Sequence, residues 1–181
     1  MSSKNALSGR LESQRWTSDG VWINLGGDRN WRNHNPGNLE DGDFARRHGA
    51  IGSDGRFAIF PDYKTGKEAL ISLLTTETYR ALAVAEAIER FAPGIENNVP
   101  AYTKFIGNQC RVSPDTILSS MSAEELEGLA AAIEEFEGGR SGVTCGIDDP
   151  SAPESVAQIQ QLIKIQSAAV GNVRNNGPEL C

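Results

Sequence analysis

Apolar residues recur at spacings of three and four through the middle and later parts of the chain, and lose that rhythm in the first fifty residues or so. In KEALISLLTTETYRAL the residues Leu70, Leu73, Leu74 and Glu77 fall at helical spacing, the leucines form a buried stripe, and Asp62 is suited to be the N-cap. A second helix is predicted over about 82–91, ending before FAPG, and a third from near Asn98 with Pro100 in its first turn. Its inward residues are Tyr102, Phe105 and Ile106. Ser113-Pro114-Asp115 predicts a short helix, and Ser122 with Glu125 three residues on forms a capping box for a helix that runs to Glu137. That box is the strongest start signal in the chain. Earlier, GVWINL (Gly20 to Leu25) reads as a short strand, and GGDRNWRNHNPGNL after it is an irregular segment, ordered or not. AIGSDGRFAIF reads as a hairpin with Asp54-Gly55 at its turn. The result is an irregular face laid on a helical body, a mainly α, α+β chain.

The last helix raises a question of chemistry. At about 100° per residue Leu126, Leu129, Ala130 and Ile133 share one apolar arc, and Glu137 projects near its centre while Glu135 points to water. Desolvation and the negative end of the helix dipole both raise the pKa of such a carboxyl. Gly138-Gly139 then let the chain leave without covering it, which is what a general acid requires. A last-turn glutamate that frays outward and does nothing fits the same pattern.

Composition narrows the field. A chain of 181 residues, 39% hydrophobic and 23% charged, is one globular domain by size. A net charge of -7 argues against a protein that grips nucleic acid or an anionic membrane by counterion release. No apolar run approaches a bilayer span, so membrane insertion is not expected, and the N-terminus lacks the apolar core of a signal peptide. Cys110, Cys145 and Cys181 have no CxxC spacing, and His34 and His48 no HExxH spacing, so neither metal nor cofactor is expected. A disulfide among the cysteines is left unassigned. Cys110 with a histidine would make a cysteine-type amidase, but it has no helix N-terminus behind it to lower the thiol pKa.

The segments RNHNPGNLE, DGRFAIFPDYKTGKEALISLL, ENNVPAYTKFIG and LAAAIEEFEGG together resemble the RNNNPGN-type family of phage and bacterial proteins, itself related to lysozyme-like peptidoglycan hydrolases. The resemblance covers about residues 29–139. It implies a lysozyme-like helical domain with a small β-hairpin, in which the order of parts is similar to a rearranged lytic transglycosylase or glucosaminidase pattern. A circular permutation would explain that order. The domain plan is then an N-terminal arm packed on the domain over 1–28, the catalytic domain over 29–145, and a linker with a C-terminal helix over 146–181. That helix, SVAQIQQLIKIQSAAV, is expected to pack on the domain, with Cys145 and Cys181 as one way of tying it down.

The resemblance also assigns a site. Glu137 would be the catalytic acid and should lie beside the NPGNL loop despite the sequence between them. Asn35, Gly37 and Asn38 would floor the sugar cleft, since amides both donate to and accept from hydroxyl and acetamido groups, although Asn is equally a turn former. Tyr102 resembles the tyrosine of an A-Y-N motif, with AYTK in place of AYNA, and is equally a core residue. Phe60 is assigned to stacking on sugar, with the reservation that one face of the hairpin carrying Phe57 and Phe60 must be core. Trp16, Trp22 and Trp31 share that ambiguity. Glu40, Asp41, Asp43 and Asp54 are candidates for a second carboxylate. The implied activity is muramidase or lytic transglycosylase cleavage of peptidoglycan glycan strands by a monomer. Without a signal peptide it would be phage-borne, or exported by a contact-dependent machine such as type VI secretion, acting in a target periplasm against an immunity protein. The alternatives are a noncatalytic wall-binding module and the cysteine amidase.

Overall fold

The computed structural model describes residues 12–17, 20–92, 99–110 and 112–146. In chain order these form strands β1 (Glu12–Thr17) and β2 (Gly20–Leu25), helices α1 (Arg29–Arg32) and α2 (Asp43–Arg47), and strands β3 (Gly52–Ser53) and β4 (Ala58–Ile59). Helices α3 (Tyr63–Leu74), α4 (Glu77–Arg80), α5 (Val84–Phe91) and α6 (Val99–Cys110) follow. A 3-10 turn (Leu118–Ser120), helix α7 (Ala123–Glu137) and strand β5 (Val143–Gly146) complete the order. The architecture is mainly helical with two small antiparallel sheets, an α+β arrangement. The expected C-terminal helix, the start of the third helix at Asn98, and Cys181 lie outside the described residues.

Local chemistry sets the helix starts. Asp62 accepts the Thr65 backbone N–H at 2.8 Å, and the Ser122 hydroxyl accepts that of Glu125 at 3.2 Å while Glu125 accepts the Ser122 N–H at 2.7 Å. The long helix expected past Leu74 stops there. The Thr75 and Thr76 hydroxyls donate to Ser72 O and Leu73 O at 2.9 and 2.7 Å, taking the carbonyls at the helix end, and α4 starts afresh. Ser113-Pro114-Asp115 forms a turn, not a helix. Its neighbourhood is recruited by α5, whose Val84 and Ala85 N–H groups donate to Thr116 O and Pro114 O at 2.9 and 3.0 Å.

Inside, Leu70 and Leu74 of α3, Ile88 of α5, Tyr102 and Ile106 of α6, and Leu129 and Ile133 of α7 are buried in one cluster, with Phe60 among them. Truncating one such leucine costs about 2–5 kcal/mol. Leu73 and Phe105, also expected inside, are only partly buried.

Two strands have no counterpart in the periodicity. β2 pairs with β1 on one edge and with β5 on the other, in the order β1-β2-β5, with Leu25 opposite Val143 and Trp22 opposite Gly146. The sheet therefore joins the segment before residue 29 to the one after residue 142. The described part of the expected arm, Glu12–Thr17 and Gly20–Leu25, is thus paired through β2 with β5, and β5 (Val143–Gly146) runs across the expected boundary at residue 145. The hairpin turn is as expected in place, but only Gly55 has positive φ, at 107°, not Asp54.

Candidate active site

Most of the asparagine-rich segment is scaffold. Asn30 is buried and donates to Glu134 O at 3.2 Å, tying α1 to the last turns of α7. Asn33 donates to Asp54 at 2.9 Å and accepts the Phe60 N–H at its carbonyl, also at 2.9 Å. Buried Arg32 donates to Gly26 O and Gly27 O at 3.2 and 2.7 Å. Burial alone would raise the pKa of Asp54. The Phe57 N–H, the Asn33 amide, the Arg56 N–H and the Arg29 guanidinium outweigh it and hold the carboxyl below its usual range.

Asn35-Pro36-Gly37-Asn38 is a β-turn closed by the Asn38 N–H to Asn35 O at 2.9 Å, with proline at its second position. Asn35 is fully buried. Its amide donates to Leu39 O and Ala58 O, both at 2.9 Å, and accepts the Leu39 N–H at 2.8 Å. Both amide hydrogens are engaged, so Asn35 knits the turn to the hairpin and does not floor a cleft. Gly37 is a packing position too: a Cβ there would come within 2.7 Å of Leu70 Cδ1. Asn38 differs from both. It is held at φ 47°, a left-handed conformation that asparagine tolerates, and its amide donates to Glu137 Oε2 at 2.9 Å.

Glu137 is the last residue of α7 and is half-buried. At about 100° per residue, buried Ala132 and partly buried Phe136 extend the apolar arc on the far side, so Glu137 sits toward one margin and not at the centre. The chain leaves through Gly138 at φ 129°, where a Cβ would meet Asp28 Oδ2 at 2.8 Å. Asp28 then fixes the exit. It accepts the Arg140 N–H and guanidinium Nη2, both at 2.9 Å, which pulls its own pKa down.

Tyr102 completes the setting. Its ring stacks on Phe136 with centroids 3.8 Å apart and planes at 10°. Burial first, and the neighbouring Glu137 carboxylate second, push the phenol's ionisation up, so it remains a hydroxyl. Among the described residues that hydroxyl lies against the Glu137 carboxylate without reaching full hydrogen-bonding geometry, and Asn38 Oδ1 meets no partner. Each such buried atom costs on the order of 1–3 kcal/mol until something meets it.

Of the residues assigned from sequence, then, Glu137, Asn38 and Tyr102 come together, while Asn35 and Gly37 serve the turn. Phe60 is a correction: it is fully buried in the core, and Phe57 is the hairpin aromatic that faces outward, with the Arg29 and Arg56 guanidinium carbons 4.9 and 4.8 Å from its ring centroid. The second-carboxylate candidates are each paired: Glu40 with Arg56 at 3.0 Å, Asp41 and Asp43 with Arg46 at 3.0 and 4.0 Å, and Asp54 with Arg29 at 3.4 Å. Burial raises the pKa of the Cys110 thiol, which disfavours a nucleophilic thiolate there. His48 stacks on Phe44 and bonds its carbonyl at 2.8 Å. Among the described residues no group of His, Cys, Asp and Glu is arranged to hold a metal ion, and no helix is long and apolar enough to cross a membrane.

Sequence reasoning missed Asn30, Asp28 and Arg140, whose partners lie more than a hundred positions away. It also missed Tyr63, whose hydroxyl donates to Glu134. No protein-family model matches the chain, and no curated protein matches it either.

Proposed function

We propose that this protein cleaves peptidoglycan glycan strands at the β-1,4 bond between N-acetylmuramic acid and N-acetylglucosamine, with Glu137 as general acid, on a lysozyme-like and circularly permuted fold. The observation that carries the reading is the pair of buried polar atoms without a full hydrogen bond, Asn38 Oδ1 and the Tyr102 hydroxyl, beside a half-buried glutamate. One atom accepts and the other both donates and accepts, which suits a neutral ligand bearing hydroxyl and amide groups. The resemblance of RNHNPGNLE and LAAAIEEFEGG to lysozyme-like enzymes narrows that ligand to an amino-sugar polymer.

In the proposed reaction Glu137 gives its proton to the glycosidic oxygen as the C–O bond breaks, and Asn38 holds the carboxyl in place. Glu137 then takes a proton from the attacking oxygen, either of water or of the substrate's own 6-hydroxyl. The arginine pairs on Glu40, Asp41, Asp43 and Asp54 favour a single-glutamate scheme over one with two carboxylates 5 to 9 Å apart or so. The same reading carries phage-borne or contact-dependent delivery into a periplasm, and an immunity protein as partner of an effector.

The test is a mass-spectrometric digest of purified peptidoglycan by the wild type and by Glu137→Gln. Disaccharide-peptides from the wild type alone are expected, and an anhydro or reducing end identifies the attacking oxygen. Equal activity in both proteins would remove Glu137 from the role. Activity in neither would favour a binding module.

A further inference from the structure

Tyr63 stands out among the residues that the site does not yet use. It opens α3, and as a large aromatic it remains 44% exposed. An exposed aromatic is ordinarily free to rotate, but this hydroxyl donates to the Glu134 carboxylate. Glu134 is three residues before Glu137 on α7, so their Cβ atoms are neighbours about 5–6 Å apart on the helix surface. The turn that carries Glu134 is itself held by the buried Asn30 amide on the Glu134 carbonyl. The ring is therefore tethered at its far end to the turn that bears the acid.

We propose that Tyr63 is a sugar-stacking platform for the residue of the glycan next to the cleaved bond, and that Glu134 is its positioning residue. The proposal rests on the glycan-cleaving reading above. A pyranose presents a face of C–H groups that packs on an aromatic ring, and a ring fixed beforehand loses less rotational freedom on binding. Glu134 is engaged with Tyr63 and so is not a free second carboxylate, which agrees with the single-glutamate scheme. Lys67 on the next turn of α3 pairs with Glu127 at 3.2 Å, so α3 follows α7 along this flank and holds Tyr63 in register with it.

The experiment measures binding of N-acetylglucosamine oligomers by NMR titration in the Glu137→Gln protein, where no cleavage intervenes. Tyr63→Ala should weaken binding roughly tenfold, and Tyr63→Phe, which keeps the ring and loses the tether, about two- to threefold. Glu134→Gln, which still offers an oxygen to the phenol, should bind within about twofold of its parent, whereas Glu134→Ala should match Tyr63→Phe. In proteins that keep Glu137, Tyr63→Ala should raise KM with kcat little changed, a split that a purely structural residue would not give. Because Tyr63 is exposed, its thermal midpoint should stay near that of the parent. Oligomer binding that is undiminished by Tyr63→Ala would overturn the platform and leave the glycan reading standing. No oligomer binding by any of the proteins would overturn both.

Discussion

Asn35 and Asn38 are the same amino acid at the two ends of one turn, and they do opposite things. Asn35 is fully buried with every amide hydrogen placed on a backbone carbonyl, so it contributes to the fold and has nothing left for a ligand. Asn38 makes a single side-chain bond, to Glu137, holds a left-handed φ, and keeps its Oδ1 unmet. A side chain whose hydrogen bonds are all closed is structural. One that leaves a buried atom open at a local cost is where function is sought.

The sharpest way to break this contrast is to remove the acid that Asn38 serves. Glu137→Gln should lower glycan cleavage by about a thousandfold or more while leaving the urea midpoint close to wild type. An inactive protein that has also lost its folding transition would show that Glu137 is structural after all.

Asn35→Ala comes next, and here stability should fall. Ala58 O and the Leu39 N–H lose the Asn35 amide and Leu39 O keeps only the Ala58 N–H, so unfolding free energy should drop by about 2–4 kcal/mol in urea titration. Asn38→Gly should do the reverse: it relieves the left-handed backbone, leaves stability within about 1 kcal/mol of wild type, and lowers activity by about ten- to a hundredfold. If the two variants behave alike, the distinction between the ends of the turn is lost.

Tyr102→Phe sharpens the point from the other side. It keeps the stack on Phe136 and deletes a hydroxyl that lies against Glu137 short of full hydrogen-bonding geometry, so stability should stay within about 1 kcal/mol of wild type while activity falls. A melting curve and a turbidity assay on peptidoglycan read both quantities.

The smallest effect concerns acid. Asp54 has a folded-state pKa below its ordinary 3.8. Its contribution is therefore present above that ordinary value and is lost as pH falls through the lowered one. Asp54→Asn should flatten the pH dependence of stability on that side of pH 4, while the parent loses stability there.

Signals that are local in the chain were readable from it. The Asp62 cap and the Ser122 and Glu125 box are decided within four residues, and both helix starts are where the sequence predicts them. The meeting of Glu137 with the NPGNL loop was also foreseeable, from the helix face and the family resemblance taken together. Burial on short strands was not. Parity allows Phe57 or Phe60 to point inward, but β4 is so short that both its residues, Ala58 and Ile59, are buried, and only the shared core that Phe60 joins decides. β5 was invisible for a different reason: its partner β2 lies about 120 positions away, and such pairing leaves no periodic mark, whereas β1 pairs with β2 at close range, Thr17 opposite Gly20.

That separation has a consequence in time. Asn30 meets Glu134, Asn38 meets Glu137 and Asp28 meets Arg140 across 104, 99 and 112 positions. Contacts of such span close late, since a long loop must be brought together before they return anything. On a ribosome that releases the N-terminal half first, the acid's surroundings do not exist until the last turn of α7 has emerged. A nascent or interrupted chain thus lacks the pairing of Asn38 with Glu137 by construction of its topology, and the site is assembled only when synthesis has passed Arg140.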